Sequence, residues 1–320
     1  MIKQIETPEE WVRERKLGIG SSDAPAILGE SNWDSPYSLW ARKTGTDVPS
    51  KEESEAMRWG HLLEDPIALE VGERTGFEVV DPGDYTVHMM EEWPIARATL
   101  DRVVFKDPHD AHSEGGVLEI KTANSMTLKD WYDSPPLYPM IQLQHQMMVT
   151  DLTWGILAVL VGGQTLLYDE YPRDDEFCKR LLAREQEFWQ HVQDGTAPTD
   201  IDGSAATREA LRQLHPEDNG ETVALPEEAI FKHEQLLATK AQIKALEDDK
   251  ETLANWFRQK IGAATFGEVG DVRYSFKSST TKDYFKVPIE QRPLLTNAGI
   301  DFETKGGSTS RSLLHKKPKK

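Results

Sequence analysis

One cysteine, Cys178, stands in 320 residues. A lone thiol excludes an internal disulfide framework and a four-cysteine iron–sulfur cluster held by one chain. No apolar run approaches the ~18 residues of a membrane span. The first residues, MIKQIETPEEW, contain no apolar signal core, so a cytoplasmic protein that does not enter a membrane is expected. The histidines fall in no H-E-x-x-H spacing, which argues against zinc, and G-x-x-x-x-G-K-S/T is absent, which argues against a bound nucleotide. Positive charge is also in short supply: 37 Lys and Arg face 55 Asp and Glu, a net −18. A protein that coats itself non-specifically with nucleic acid is therefore excluded, because such binding rests on cations that neutralise phosphates. A local basic lining within an acidic exterior remains compatible with that balance.

What is present is a soluble composition, 38% hydrophobic and 29% charged, long enough for one sizeable core and a smaller appendage. Its most informative feature is Asp101 in TLDRVV, followed by Glu119 and Lys121 in VLEIK. In a strand, side chains alternate, so Glu119 and Lys121 share one face while Leu118 and Ile120 share the other. Residues 95–105 read as the preceding strand and 106–116 as the connection of an antiparallel pair, which would bring Asp101 beside Glu119. Two such carboxylates out of water repel each other and are costly unless a cation compensates them. Mg²⁺, with Mn²⁺ as a substitute, suits a site of one or two carboxylates plus water and phosphate oxygens. Lys121 would then counter charge building on a scissile phosphate. The pattern alone equally describes a solvated strand face.

Three further segments bear on the choice. In GIGSSDAPAILG, Ser22 or Asp23 can cap a short helix with Pro25 in its first turn and Gly29 at its end, and Arg15 upstream could add a charged fork for an anion. In WGHLLEDPIALE, closed by Gly76, Pro66 is expected to start or kink the helix, with Glu64 at the irregularity, where it could face a metal. In LYPMIQLQHQMMV, the 3.6-residue period puts Tyr138, Gln142 and His145 near one face of a helix.

Taken together, GIGSSDAPAILG, WGHLLEDP, TLD, LEIKT and Tyr138 with QLQHQM resemble, in order and spacing over about residues 10–190, the YqaJ-like viral recombinase family. That family contains the phage lambda exonuclease and lies within the PD-(D/E)XK nuclease superfamily. The resemblance implies an α/β restriction-endonuclease-like core, a mixed sheet flanked by helices. It also implies a 5′-to-3′ exonuclease that digests linear double-stranded DNA from its ends, a trimeric ring, and a single-strand annealing protein as partner in phage-type recombination. By the same resemblance, Asp101 and Glu119 are the metal ligands with the Ile120 carbonyl as a third, Lys121 helps activate water, and Glu64 supports a second metal or its waters. Gln142 borders the site together with Tyr138, and Arg15 with Ser22 holds the 5′-phosphate. Pro139 after Tyr138 points to a tyrosine just outside its helix, and Arg13 competes with Arg15 for the phosphate. Two rivals are a restriction-type endonuclease of the same superfamily and a non-catalytic DNA-binding accessory.

Residues 1–200 are read as the nuclease domain and 201–225 as a polar connector, partly helical. The remainder, 226–320, holds a helix over 226–261 with apolar residues every three to four positions, a hairpin over 265–276, and a basic tail. The tail carries Lys305, Arg311, Lys316, Lys317, Lys319 and Lys320 and no acid, disordered at its end, which suits either DNA phosphates or mere solubility.

Overall fold

The computed structural model describes residues 1–45, 54–83, 85–107, 113–198, 201–281 and 308–316. It divides into two compact units, Met1–Asn219 and Gly220–Lys320, so the boundary lies inside the stretch read as a connector.

The first unit opens with β1 (Ile2–Gln4), α1 (Pro8–Lys16), α2 (Ala24–Ile27), α3 (Pro36–Lys43) and α4 (Glu55–Thr75). Then come β2 (Glu78–Val80), β3 (Thr86–Met89), β4 (Arg97–Ala98), β5 (Arg102–Phe105) and β6 (Gly115–Ala123). It closes with α5 (Leu128–Asp133), α6 (Leu137–Thr150), β7 (Trp154–Val161), β8 (Thr165–Pro172), α7 (Asp175–Asp194) and α8 (Ala205–Leu214). The central sheet has the order β2-β5-β6-β7-β8, with β6 and β7 parallel and the other pairs antiparallel. This is the mixed sheet flanked by helices that the sequence led us to expect.

Both faces of the sheet are covered. Leu118, Ile120, Ile156 and Ala158 pack with Ile67, Ala68 and Val71 of α4 on one side. Val117, Leu157, Val159 and Val161 pack with Leu143 and Met147 of α6 and Trp131 of α5 on the other. Each such aliphatic side chain contributes about 1.5–3 kcal/mol on burial. Burial on two sides explains why β7 reads as a continuous apolar run. It also makes Glu119, in the equally covered β6, an anomaly that needs a partner. Gly116 and Gly155 permit the close packing, since a Cβ at Gly116 would sit 2.6 Å from the Trp154 ring and one at Gly155 2.8 Å from Leu143.

Three expectations are corrected. The single strand over 95–105 is two strands, because β4 joins a separate sheet of order β1-β3-β4 while β5 joins the central one, and Thr99–Asp101 make the crossing. The apolar alternation persists through the crossing, which hides it from a periodicity argument. Of the start or kink expected at Pro66, the start is excluded: α4 begins eleven residues earlier, where Ser54 accepts from the Met57 N–H, and runs through Pro66 to a left-handed Gly76. Finally, α2 is a single turn, and Asp23 precedes it without capping it; its carboxylate instead accepts from the Gly20 N–H at 3.0 Å and from Lys43. The connection over 106–116 lies partly outside the described residues.

The second unit holds α9 (Glu228–Ile261), β9 (Phe266–Val269), β10 (Val272–Thr281) and β11 (Ser308–Lys316). The expected helix and hairpin are there, turned at Gly270, and part of the basic tail forms a third strand, with Arg273 opposite Lys316 and Ser278 opposite Arg311. Lys305, Lys317, Lys319 and Lys320 lie outside the described residues.

Candidate active site

Asp101 lies at the end of the crossing, one residue before β5, and its Oδ2 accepts from the Ile120 N–H at 2.8 Å. The register that sets Arg102 opposite Leu118 thereby brings Asp101 alongside Glu119. Glu119 is 3% exposed, and its two oxygens are divided: Oε1 meets the Lys121 ammonium, and Oε2 accepts from Gln146 Nε2 at 2.7 Å. Gln146 Nε2 also reaches the Thr99 carbonyl at 3.2 Å, so one amide ties α6 to both the glutamate and the crossing strand. Gln146 was missed by sequence reasoning. The available signal was the spacing Tyr138, Gln142, Gln146, four residues apart each time and therefore near one helical face. His145, placed on that face from the sequence, instead points into the core, between Glu185 at 2.7 Å and the Arg97 carbonyl at 2.9 Å.

The electrostatics are those of an acid pair that one lysine compensates only in part. Burial, then the charge of Glu119, push the Asp101 carboxyl up to about 8 against the pull of Lys121 and the Ile120 N–H, with Glu64 adding the smallest share. Burial pulls the Lys121 ammonium down, but Glu119 and Asp101 outweigh it and hold it above its ordinary range. A cation between the two acids would relieve the repulsion that raises Asp101, so the donor set fits a hard divalent ion. Among the described residues no three His, Cys, Asp or Glu side chains gather to hold a metal by themselves. Water, backbone carbonyl and phosphate oxygens would have to complete the shell, as they do for Mg²⁺ and not for a closed zinc site.

Glu64 sits on α4, close enough for its charge to be felt at Asp101, with its Oε1 3.1 Å from His61 Nδ1. Its neighbour Asp65 is taken up by Arg102. Tyr138 lies inside the first turn of α6 rather than outside it, since Pro139 is tolerated where N–H groups have no helical partner. Its phenol is pushed up by burial, lowered by Lys121 and raised by Glu119, and Trp33 packs edge-on against its ring at 5.0 Å. Gln142 presents a buried Oε1 with no hydrogen-bond partner among the described residues.

The N-terminal candidates are also brought together. Arg15 Nη2 donates to Ser22 Oγ at 3.3 Å, while Arg13 is exposed and makes no such bond among the described residues. Lys43, not singled out from the sequence, organises the turn: its buried ammonium donates to the Arg15 and Gly18 carbonyls, both at 2.6 Å, and to Asp23 at 2.7 Å. Burial opposes the charge on Asp23, but Lys43 and Arg15 hold its carboxyl below the usual range. Gly18 is obligatory there, because a Cβ would lie 2.4 Å from the Ile95 carbonyl. Ala24 of α2 packs beside Ile141 and Met148 of α6, so this turn and the acid pair are fixed to one helix.

The YqaJ-like viral recombinase domain model matches residues 10–153. The uncharacterized protein YqaJ of Bacillus subtilis (strain 168) is 34% identical over 275 residues, covering 84% of this chain and 83% of that protein. The chain belongs to the YqaJ-like viral recombinase family. Among solved structures, an alkaline exonuclease (LHK-Exo) from Laribacter hongkongensis is 19% identical, with 58% of this chain and 93% of that one covered and a TM-score of 0.49. A phage related exonuclease from Haemophilus somnus 129PT is 12% identical, with 58% and 99% covered and a TM-score of 0.38.

Proposed function

We propose that this YqaJ-like chain is a Mg²⁺-dependent exonuclease that digests linear double-stranded DNA from 5′ to 3′, leaving 3′ single strands for a single-strand annealing protein. The observation that carries the reading is the convergence of Asp101, Glu119 and Lys121, with Glu119 buried, Asp101 half-buried, and the two carboxylates positioned by Gln146 and the Ile120 N–H. A solvated strand face would not hold a glutamate that is 3% exposed.

Asp101, Glu119 and the Ile120 carbonyl would hold the ion, with Glu64 reaching it through water. The chemistry the ion supplies when bound is polarisation of the scissile phosphate and a water of lowered pKa. Lys121 counters the negative charge that builds as water attacks phosphorus and the P–O bond to the departing strand breaks. Gln146 keeps Glu119 in place, and the free Gln142 Oε1 can accept a hydrogen from water or substrate. Tyr138, with Trp33 against its ring, flanks the DNA beside the lysine. Arg15 and Ser22 present a guanidinium and a hydroxyl to a terminal 5′-phosphate, which gives the enzyme its polarity. A trimeric ring around the duplex would suit a chain of net charge −18, since only the inner lining then meets phosphate.

The test compares wild type and Lys121→Ala on linear 5′-phosphorylated duplex, linear 5′-hydroxyl duplex and closed circles, with Mg²⁺ or EDTA. Loss of the phosphorylated linear duplex alone, abolished by EDTA and by the substitution, is expected. Cutting of closed circles would assign the chain to the restriction-type endonucleases instead. Arg15→Ala should erase the preference for the 5′-phosphate while leaving metal dependence intact; an unchanged preference removes the N-terminal turn from the mechanism.

A further inference from the structure

We propose that the outer face of the C-terminal three-stranded sheet is a second nucleic-acid site, one that binds single-stranded DNA by base stacking and phosphate contact. On β9 and β10, register and alternation put Phe266, Glu268, Arg273, Ser275 and Lys277 on one face, and Gly267, Val269, Val272, Tyr274 and Phe276 on the other. The second face is covered by its own helix. Phe257 of α9 stacks on Tyr274 with ring centroids 4.0 Å apart, and Ile261 fills the space that a side chain at Gly267 would need.

The first face is where the aromatic stands open. Phe266 is 44% exposed, with the Arg273 guanidinium 5.3 Å and the Lys277 ammonium 5.1 Å from its ring. An exposed ring between two cations on a flat sheet is the arrangement that accepts unpaired bases, because every base offers a π-face and the cations meet the adjoining phosphates. A duplex keeps its bases stacked inside and cannot use the ring. Glu268 opposes this only weakly: it pairs with Arg273 at 2.6 Å, but both groups are more than half exposed, and such pairs yield readily to a phosphate.

Charge favours the same occupant. Residues 262–320 carry eleven Lys and Arg against six Asp and Glu, a net +5 in a chain whose total is −18. The cationic strand residue Lys316 stands opposite Arg273 in the register. A single-strand site on the same chain would retain the 3′ strand that the proposed exonuclease exposes. The binding itself does not depend on that chemistry.

The experiment measures anisotropy of labelled oligothymidylate of about thirty nucleotides on the full chain in EDTA, so the outcome stands apart from whether the active site cuts. Phe266→Ala is expected to weaken binding roughly tenfold or more. Phe266→Trp should retain it, and Lys277→Glu should weaken it and flatten its salt dependence. Blunt duplex of the same length should bind Phe266→Ala as it binds wild type, and a base-free deoxyribose-phosphate strand should be insensitive to the substitution. Equal binding of oligothymidylate by wild type and Phe266→Ala would overturn the proposal, as would a parallel loss for duplex, which signals a generic polyanion surface. Tighter binding of oligouridylate would assign the face to RNA and overturn it too. If Phe266→Ala lowers the thermal midpoint, the Phe266→Trp and Lys277→Glu arms decide.

Discussion

Glu119 has no spare oxygen: one is engaged by Lys121 and the other by Gln146. Removing the amide should free the carboxylate to swing and cost metal affinity. Gln146→Leu is expected to lower nuclease activity by roughly 10–100-fold and to raise the Mg²⁺ concentration needed for half-maximal rate. A magnesium titration in which the variant loses activity but keeps the wild-type midpoint would contradict that role. Glu119 and Lys121 were legible in the sequence because alternation in β6 is set by the backbone alone, and Asp101 because an antiparallel pairing of the two runs sets it beside Glu119. Gln146 was not, because which residue of α6 meets Glu119 depends on how the helix is rotated against the sheet. His145 and Gln146 differ by one step of about 100° around the axis, and only packing chooses between them. The same holds for Lys43, whose carbonyl partners at Arg15 and Gly18 leave no trace in residue types.

At the scale of elements, α6 is held to α7 by a buried ion pair. His145 and Glu185 are fully buried, and both ring nitrogens of His145 face acceptors, so the imidazole is stabilised in its charged form. Burial pulls its pKa down, but Glu185 and the Arg97 carbonyl override this and hold it above the usual range. Because the folded value is raised, the pair's contribution is complete below the unfolded histidine value of about 6.5 and is lost as pH rises through the folded value. Glu185→Ala is expected to cost about 3–5 kcal/mol at pH 6 by leaving the imidazolium unpaired. The loss should shrink as pH climbs above the folded value; urea melts at several pH values showing a pH-independent difference would refute it. Element types were mostly readable, since the long helices and β6 and β7 carry strong periodicity. The switch of sheets at Thr99–Asp101 and the start of α4 at Glu55 were not, because tertiary packing sets the first and the Ser54 cap the second.

For the whole molecule, the two units differ in sign of charge, and the acidic excess lies entirely before residue 262. The proposed ring predicts a particle of three times the chain mass by light scattering, and a strict monomer at micromolar concentration, with or without DNA, would rule it out. The ring also predicts a shallow salt dependence for unthreaded duplex, because few cations on an acidic exterior are available to release counterions. Exposed apolar positions along α9, among them Leu236, Ile243, Leu246 and Leu253, recur every three to seven residues. That part of the architecture was foreseeable from the sequence, because the apolar recurrence over 226–261 reads directly as one long helix.

Asp101 ends a three-residue bridge between two sheets, so its place beside Glu119 depends on the length of that bridge as well as on the pairing of β5 with β6. Substitutions at Thr99 or Leu100 can be absorbed by repacking, but an inserted or deleted residue cannot, since neither sheet can slide to take up the slack. Natural variation within this bridge should therefore be confined to residue identity, and its length should serve as a ruler by which intact members of the family are told from inactivated ones.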